Sequence, residues 1–598
     1  MLKFCTGGEQ LKAFADMEGS DPFDSAVGCD SFVGGSPYIP VDSWVYPAVL
    51  RLYSLGYVDT VYLGMRPWTR SSLSHMLEEA GPIIEDGGAY VDPTLNEARG
   101  IYKALVNESQ YNPQMPCPVR TGSIHVESLY TEARALSGTP MRDSYHLGST
   151  VINDYGRPYE KGVTNYSGAS GYASSGRYLL YVRGEFQGAP SAAGYSAPLT
   201  QTLSDIDGTY FIDPITMLPV YGPQATIPMG PIGAVSHGRV IEAYASASLL
   251  NHVISFGKQD EWLGPGQGGA MAYSNNAENI YAFRINRIEP LHIPALSIIT
   301  GPFRYEFLVG SLTGHNYIPN PTPARPGDVI NPGNPWVHVE KVSFRPTRNL
   351  EFGFERTVIW GGKGHVPITF HTFLRSFFSV TAPTDAVKFS TQDPGARFGA
   401  FDFSYRLPFL RNWLTLYTDS EAHDEVSPTD NPRRSCYRPG LYLSHFPGIP
   451  KLDLRVEAVN TDSSTPESQG GHFQYYETVQ VQGYTNNGAL FGDWIGREDK
   501  GGQAWITYHL SGNEWIQLGL RNQKAAKDFI PGGTTLNDIE FQMVKRIRKE
   551  IEIDGTFDYE SWAAPIYNIA NPVNLPSHET VTSTTVRVTW RPRWKSTL

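Results

Sequence analysis

Three groups of aromatic and polar residues in this sequence have the chemistry that carbohydrate recognition requires. Each group combines a tryptophan with amide, charged or imidazole side chains in a long irregular stretch. The groups are Trp262 with Asn275 and Asn276, Trp360 with Lys363 and His365, and Trp494 with Arg497 and Glu498. Indole rings stack on the apolar faces of sugars, while amides and charged groups bind hydroxyls. We take the first two groups as candidate polysaccharide-binding residues, with anchoring of tryptophan at a membrane boundary as the alternative.

Motifs for phosphate binding or nucleophilic catalysis are incomplete in this sequence. Gly264, Gly266 and Gly269 have the spacing of a dinucleotide-binding loop, but Pro265 occupies the turn and no helical periodicity follows. The GGKG stretch at 361–364 lacks the Ser or Thr that follows the lysine of a phosphate-binding loop. The sequence also contains no nucleophile elbow. It therefore predicts neither a cofactor nor catalytic residues.

Histidine spacing gives no clear metal site. His365 and His371 are six residues apart, and His423 is followed directly by Asp424. Metal ligation would require third and fourth ligands that converge from elsewhere in the chain, and no spacing indicates them. We therefore predict no metal site.

The composition indicates that strands and turns position these residues. The chain of 598 residues contains 59 glycines, 45 prolines, 34 tyrosines and 28 phenylalanines, a mixture typical of many strands joined by turns. This composition excludes a helical repeat and a coiled coil. A net charge of -12 disfavours nucleic acid as the partner. No run of 18 apolar residues is present, so no membrane-spanning helix is predicted.

The N-terminal part of the chain differs from the rest. Apolar residues recur at helical spacing over 44–55, 69–82 and 94–105, and capping residues bound these runs. We predict a small helical bundle over residues 37–120. Residues 1–36 stay unassigned, because charged side chains interrupt them where a signal peptide needs an apolar core.

Beyond about residue 121 the periodicity changes to that of strands. The segment IEIDGTFDYE at 551–560 alternates apolar with acidic residues. Tight turns alternate strictly with long polar connections, which is typical of an outer-membrane barrel and has no reason to occur in soluble sandwiches. We count nine upward and nine downward strands, the second of them near residue 145, and so predict an all-β transmembrane barrel of about 18 antiparallel strands over residues 121–598. An even number places both termini, and with them the bundle, at the periplasmic mouth.

Some charged residues within the predicted strands should face the barrel lumen. We predict that Glu355, Arg356 and Asp402 form part of a mixed-charge network there, since Asp402 lies between Phe401 and Phe403. A basic group facing lipid at mid-depth would cost about 2–4 kcal/mol. Because Glu355 and Arg356 are adjacent, only one of them can point inward within a regular strand. We expect the other at the rim or at a bulge.

Several segments resemble the capsule assembly Wzi family of outer-membrane proteins. They are FGKQDEWLGPGQGGAMAYSNNA at 256–277, NLEFGFERTVIWGGKG at 349–364 and RFGAFDFSYRL at 397–407, with a similar helical lead-in VDSWVYPAVLRLYSLGY at 41–57. The resemblance extends from about residue 38 to 591. One departure is Leu263, which follows Trp262 where the family commonly has a second tryptophan.

The resemblance implies an eighteen-stranded barrel whose periplasmic end is closed by a helical bundle. It implies a surface lectin in the bacterial outer membrane that holds capsular polysaccharide without catalysis. The expected partners are capsular or other surface polysaccharide and outer-membrane lipid, with a polysaccharide export channel as a further candidate.

Two other functions remain open at this point. One is a porin or transport channel gated by the helical bundle, and the other is an outer-membrane enzyme that acts on glycans. A channel has no need of a dedicated bundle, and an enzyme should show a motif that is not found. Carboxylate pairs for glycoside hydrolysis are hard to recognise, because a polar lumen supplies many neighbouring acids.

Overall fold

The computed structural model of this chain describes most of its residues. The described ranges are 35–86, 94–109, 122–213, 215–317, 333–362, 364–380, 383–424, 431–462, 474–477, 479–568, 578–592 and 595–597. Among these residues, no helix combines the length and apolar character needed to cross a bilayer.

A closed antiparallel β-barrel forms the body of the protein. Its strands are β1 Ser123–Ser137, β2 Gly162–Ser175, β3 Tyr178–Ala189, β4 Val235–Leu249, β5 His252–Lys258, β6 Tyr281–Arg287, β7 Phe303–Ser311, β8 Trp336–Thr347, β9 Leu350–Trp360, β10 Ala396–Arg406, β11 Leu414–His423, β12 Cys436–Leu443, β13 Leu452–Asn460, β14 Asp499–Ser511, β15 Glu514–Ala525, β16 Thr534–Arg546, β17 Ile551–Ala563 and β18 His578–Trp590. Each strand pairs with the next, and β18 closes the circle on β1 from Leu129↔Trp590 to Ser137↔Thr582. The predicted barrel of 18 strands is confirmed.

The distribution of side chains on the strands is inverted relative to that of a soluble protein. On β15, Gln517 and Arg521 are buried and face inward, whereas Leu518 and Leu520 are exposed on the outside. The same alternation recurs around the barrel, with Phe541 and Phe557 among the exposed apolar residues. Polar residues inside and apolar residues outside suit a barrel that faces lipid.

Helices form the N-terminal part and several loop segments. They are α1 Val45–Ser54, α2 Arg70–Asp86, α3 Leu95–Ser109, α4 Ala197–Asp207, α5 Leu296–Thr300, α6 Phe370–Phe378, α7 Asp385–Lys388 and α8 Asn431–Arg434. The Thr69 hydroxyl accepts the Ser72 N–H at 3.1 Å and caps α2 as predicted. However, α2 continues through Gly81 and Pro82, where the sequence predicted its end.

The bundle of α1 to α3 lies inside the barrel at the end that carries the short turns. Its apolar core packs against the wall residues Tyr417 and Tyr442. Arg406, on the inward face of β10, donates to the Tyr53 carbonyl at 2.8 Å and to Asp59 Oδ1 at 2.5 Å. The bundle therefore fills the barrel at the end with the short turns, and the assignment of that end to the periplasm stays a prediction.

One strand position differs from the prediction. The second strand begins at Gly162 and not near residue 145, because residues 142–149 form a small hairpin (Arg142–Asp143 paired with Gly148–Ser149). The Asp143 carboxylate accepts the N–H groups of Tyr145 and His146 and so turns the chain there.

Candidate functional site

The connection between β5 and β6, residues 259–280, folds into the barrel; we call it the plug loop. All of its residues except Gln267 and Glu278 are buried. Carboxylates of the wall hold its backbone: Glu457 accepts the N–H groups of Gln267 and Gly268 at 2.8 and 3.1 Å. Asp419 accepts the Met271 N–H at 2.7 Å. The plug loop is thus fastened directly to β11 and β13.

The plug loop also contacts the helical bundle. Trp262 and Arg66 exchange two backbone hydrogen bonds, of 3.0 and 3.1 Å. The Arg66 guanidinium lies 5.7 Å from the centroid of the Trp262 ring. Only 5% of Trp262 is exposed. Bundle and plug loop therefore form one continuous filling of the lumen.

Asn275 and Asn276 lie in the same loop as Trp262 and are also buried. Asn276 donates to the Leu490 carbonyl at 3.0 Å and accepts the Asn153 N–H at 3.1 Å. Trp262 and Asn275 line an inner cavity of about 330 Å³. The structure therefore brings these three predicted site residues together, but in the lumen and not at the outer surface. Their contact with polysaccharide stays a prediction.

The glycine run of the plug loop serves close packing. A Cβ atom on Gly268 would lie 1.8 Å from Gln503 Oε1, and one on Gly269 would lie 2.5 Å from Asp493 Oδ2. Only glycine allows the backbone to approach these side chains so closely. This packing accounts for the glycine spacing without a nucleotide.

Glu355 and Asp402 meet on the inward side of the wall. Lys341 Nζ lies 2.7 Å from Asp402 Oδ2 and 3.5 Å from Glu355 Oε2, and all three side chains are buried. Asp402 also lies close to Gly64, in the segment between α1 and α2. A lysine between two carboxylates offsets the cost of burying their charges.

Arg356 does not belong to this network, which corrects its predicted place in the lumen. It lies on the opposite face of β9, where its Nε donates to Glu340 Oε2 at 2.9 Å. Side chains alternate along a strand, so Glu355 and Arg356 must point to opposite sides. No bulge interrupts their pairing with Lys341 and Glu340.

Trp360 is separated from the plug loop. It is the last residue of β9, points to the outer face and is only 1% exposed. Its ring packs 5.8 Å from Phe373 of α6 and 5.3 Å from His338 of β8. The ring offers no free stacking face here, so a sugar contact for Trp360 stays a prediction. Lys363 lies outside the described residues.

His365 lies in a narrow cleft among the long loops, which we call the rim cleft. Its lining includes His315, Tyr317, His365, Gln480 and Gln482. These residues come from three connections, those between β7 and β8, β9 and β10, and β13 and β14. The cleft holds a cavity of about 20 Å³, so a sugar would lie across it and not inside it.

Hydrogen bonds fix the shape of the rim cleft. Gln482 accepts the Tyr317 N–H at 2.9 Å and donates to Asn316 Oδ1 at 3.0 Å. The Tyr317 hydroxyl donates to the Tyr210 carbonyl at 3.0 Å, which ties in the β3–β4 connection. Within the described residues, Gln480 Oε1 is buried and has no hydrogen-bond partner. The cleft therefore has a rigid frame and an unused acceptor.

The two imidazoles of the rim cleft are neutral. Burial lowers the pKa of His315 to about 4, and burial lowers the pKa of His365 to about 4 as well. Each ring then offers one donor and one acceptor at neutral pH. The Nε2 of His315 bonds to the Thr485 carbonyl at 2.9 Å. Neutral rings and amides suit uncharged hydroxyl groups.

Sequence reasoning missed the tyrosines and glutamines around His365. Tyr210 is exposed on a small hairpin (Tyr210–Ile212 paired with Pro219–Tyr221), and Tyr317 and Tyr476 are half-buried nearby. The YYETVQVQGY segment at 475–484 contains three tyrosines and alternates valine with glutamine over 479–482, a signal that could have indicated a polar surface. Trp494 did not indicate a binding surface, since its side chain is fully buried in the lumen.

His423 and Asp424 meet a third residue, the acidic Glu477. His423 Nε2 lies 3.2 Å from Glu477 Oε2, and the three residues have their ligand atoms within 4.8 Å of one another. Lys388 Nζ already lies 2.5 Å from Glu477 Oε2 and 3.5 Å from Asp424 Oδ2. An ammonium group thus supplies the positive charge at this cluster, which accounts for the arrangement without a metal ion.

The fold and these sites define a class: a β-barrel of the outer-membrane type, filled from one side by helices and from the other by an inward loop. A model of the family "Capsule assembly protein Wzi" matches residues 132–571. The chain belongs to that family.

Two known proteins illustrate the relationship. The solved structure of Escherichia coli Wzi, described as a carbohydrate-binding β-barrel involved in group 1 capsule assembly, has a TM-score of 0.60 and 16% identity. That match covers 92% of this chain and 99% of the other, and it shows a shared fold. An uncharacterized 55.8 kDa protein in the cps region of Klebsiella pneumoniae is 24% identical over 222 residues. That alignment spans 37% of this chain and only 40% of the Klebsiella protein.

Proposed function

We propose that this protein binds capsular or another surface polysaccharide with its external loops and so anchors exported polymer at the bacterial outer membrane. The observation that carries the proposal is the placement of the rim cleft. It lies among the long connections, at the end of the barrel opposite the helical bundle. Family membership and the fold shared with Escherichia coli Wzi support the same function.

The chemistry of the rim cleft suits a neutral sugar surface. Tyr317 and His365 are half-buried and supply an aromatic ring and a neutral imidazole, whereas the carbonyl oxygen of Gln480 is buried. Each stacked ring contributes on the order of 0.5–1.5 kcal/mol beyond area burial, by analogy with aromatic pairs. Single sugars are therefore bound weakly. A long polymer that contacts several copies of the barrel is retained through avidity.

A gated channel fits the structure less well. Two inner cavities of about 260 and 330 Å³ share Asn153, Asp554 and Arg587 in their linings, so open space continues along one side of the lumen. The bundle is nevertheless fastened by buried ion pairs, such as that of Arg51 with Asp453. The plug loop bridges it to the wall. Movement of the bundle would have to break both sets of contacts together.

The proposed role is binding without catalysis. The groups at the rim cleft are neutral imidazoles, amides and a phenol. This set lacks the pair of carboxylates about 5–9.5 Å apart that glycoside hydrolysis uses. A polysaccharide export channel in the same membrane is the expected source of the polymer.

The proposal can be tested by applying the refolded barrel, in lipid nanodiscs, to an array of bacterial surface polysaccharides and their short fragments. We expect retention by a subset of long polymers and weak signals from fragments of the same polymers. Absence of binding to every polymer, together with a steady conductance in planar bilayers, would overturn the proposal in favour of a channel.

A further inference from the structure

Helix α6 lies on the outer wall of the barrel. The ring of Phe373 is 6.4 Å from that of Phe307 on β7 and 5.8 Å from that of Trp360 on β9. Phe307 and Trp360 are on the outward faces of their strands, where they alternate with buried inward residues. The long connection between β9 and β10 therefore turns back over the outside of the barrel before it returns to β10.

The helix covers polar groups that would otherwise face lipid. His338 lies between Glu340 Oε1, at 2.6 Å, and the Ser376 hydroxyl of α6, at 2.9 Å. Arg356 donates to Glu340 and, at 2.8 Å, to the Phe377 carbonyl. An uncovered arginine at mid-depth would be strongly unfavourable in a bilayer, although less so near the interface.

The other side of α6 is apolar and basic. Phe370 and Phe378 are 75% and 70% exposed, and the following Val380 is also exposed. His371 and Arg375 lie beside them; the Arg375 guanidinium donates to His371 Nε2 at 2.9 Å and to the Thr391 carbonyl at 2.8 Å. Such a mixture suits a helix that lies in the plane of a membrane interface.

The exposed phenylalanines continue the apolar outer surface of the wall. Phe354 and Val342, further along β9 and β8, are exposed on the same outward faces that α6 covers. Trp360 ends β9 on the side of the long connections, so α6 lies at the external edge of this surface. The continuity identifies lipid as the occupant of the free face.

We propose that α6 is an interfacial helix, embedded in the outer leaflet through Phe370 and Phe378. Its inner face shields the His338, Glu340 and Arg356 cluster, and its outer face contacts acyl chains at the headgroup boundary. The helix would thereby fix the depth and tilt of the barrel on this side, independently of any polysaccharide.

Spin labels can measure this depth. A nitroxide is attached at Phe378→Cys after Cys5, Cys29 and Cys117 are replaced by Ser, and the buried Cys436 is kept. In proteoliposomes, the accessibility of the nitroxide to oxygen is then compared with its accessibility to a water-soluble nickel chelate. Phe256→Cys, on the outer face of β5 and 65% exposed in the native chain, gives the lipid reference. Met217→Cys, at a position 71% exposed on the external hairpin, gives the water reference.

We expect the label at position 378 to resemble that at 256, with high oxygen and low chelate accessibility. Accessibility to the chelate equal to that at 217 would overturn the proposal. If the Phe378→Cys barrel fails to fold, as judged by heat-modifiable gel mobility, the label is placed at Phe370→Cys. The same two outcomes then decide the question.

Discussion

Arg51 Nη1 of helix α1 lies 3.0 Å from Asp453 Oδ2 of strand β13 in the buried interior. The same guanidinium donates to Glu97 at 2.8 Å and to the carbonyls of Ser444 and Pro450 at 2.7 and 3.0 Å. One side chain thus joins two helices of the bundle to the wall and to a short turn between strands. The bundle behaves as a fixed part of the barrel.

Arg51→Ala should loosen the bundle. Breaking a buried ion pair leaves uncompensated charge and costs about 3–5 kcal/mol. We expect a lower thermal midpoint and larger, noisier conductance in planar bilayers. Arg99→Ala is the matched control, because Arg99 is only half-buried and its Nε bonds to a carbonyl within the bundle. Equal conductance and stability in the Arg51 and Arg99 variants would contradict this account.

Gly268→Ala should disturb the plug loop. The added Cβ would lie 1.8 Å from Gln503 Oε1 and 2.5 Å from Arg438 Nη2, so backbone or side chains must shift. Overpacking of this kind costs about 1–3 kcal/mol. Calorimetry in detergent should show the loss, whereas Gly233→Ala, with open space around it, should leave the midpoint unchanged. A wild-type midpoint for Gly268→Ala would show that the loop is loosely held.

His146 should make stability depend on pH. Its ring lies between Asp143 and Asp207, with Nε2 2.8 Å from Asp207 Oδ2, and Arg497 also pairs with Asp207. Although burial opposes the charge, these carboxylates raise the pKa of His146 to about 9. Because the folded pKa exceeds the ordinary value of about 6.5, the stabilisation is complete below about pH 6.5 and is lost as the pH rises through 9.

The expected size of this effect is about 3 kcal/mol. Thermal midpoints at pH 6 and pH 10 should differ more in the wild type than in His146→Gln. Replacing the exposed His292 by Gln should leave the wild-type profile intact. Identical profiles for the wild type and His146→Gln would rule out this histidine as the source.

Lys341→Met tests the inward network of the wall. Without the ammonium group, Asp402 and Glu355 would face each other as buried carboxylates with no cation between them. We expect a loss of about 3–5 kcal/mol, measured as a lower midpoint of the heat-modifiable gel shift. Lys500→Met removes a pair whose lysine side chain is 58% exposed, and it should change little. Similar behaviour of both variants would show that the Lys341 network is not stabilising.

The sequence predicts the barrel well because the relevant physics is local. Alternation at Ile551, Ile553 and Phe557 is visible in any ten-residue window, and Thr69 is recognisable as a cap from its neighbours. The hairpin at 142–149 was not predictable in this way. Its turn depends on the Asp143 side chain and on contacts with Asp207 and Glu560, which are distant in sequence.

The site was harder to predict than the fold. Trp262 and His365 have the same kinds of neighbour in the sequence, yet one lies in the lumen and the other at the rim. Which loops fold inward depends on carboxylates such as Glu457, which lies 190 residues beyond Gln267 in the chain. The outward orientation of the Arg356 side chain was predictable, since Phe352 and Phe354 alternate with inward residues and mark the outer face of β9.

The most direct test of the account is retention of a long capsular polysaccharide by proteoliposomes that carry the barrel. The double variant Tyr317→Ala with His365→Ala is compared with the single variant Tyr317→Phe, which keeps the stacking ring. Loss of one stacking contact of about 0.5–1.5 kcal/mol corresponds to about a 2- to 12-fold weaker interaction at each barrel. We therefore predict strongly reduced co-sedimentation of polymer with the double variant and near wild-type retention with Tyr317→Phe. Unchanged retention by a correctly folded double variant would contradict the placement of the binding surface at the rim cleft.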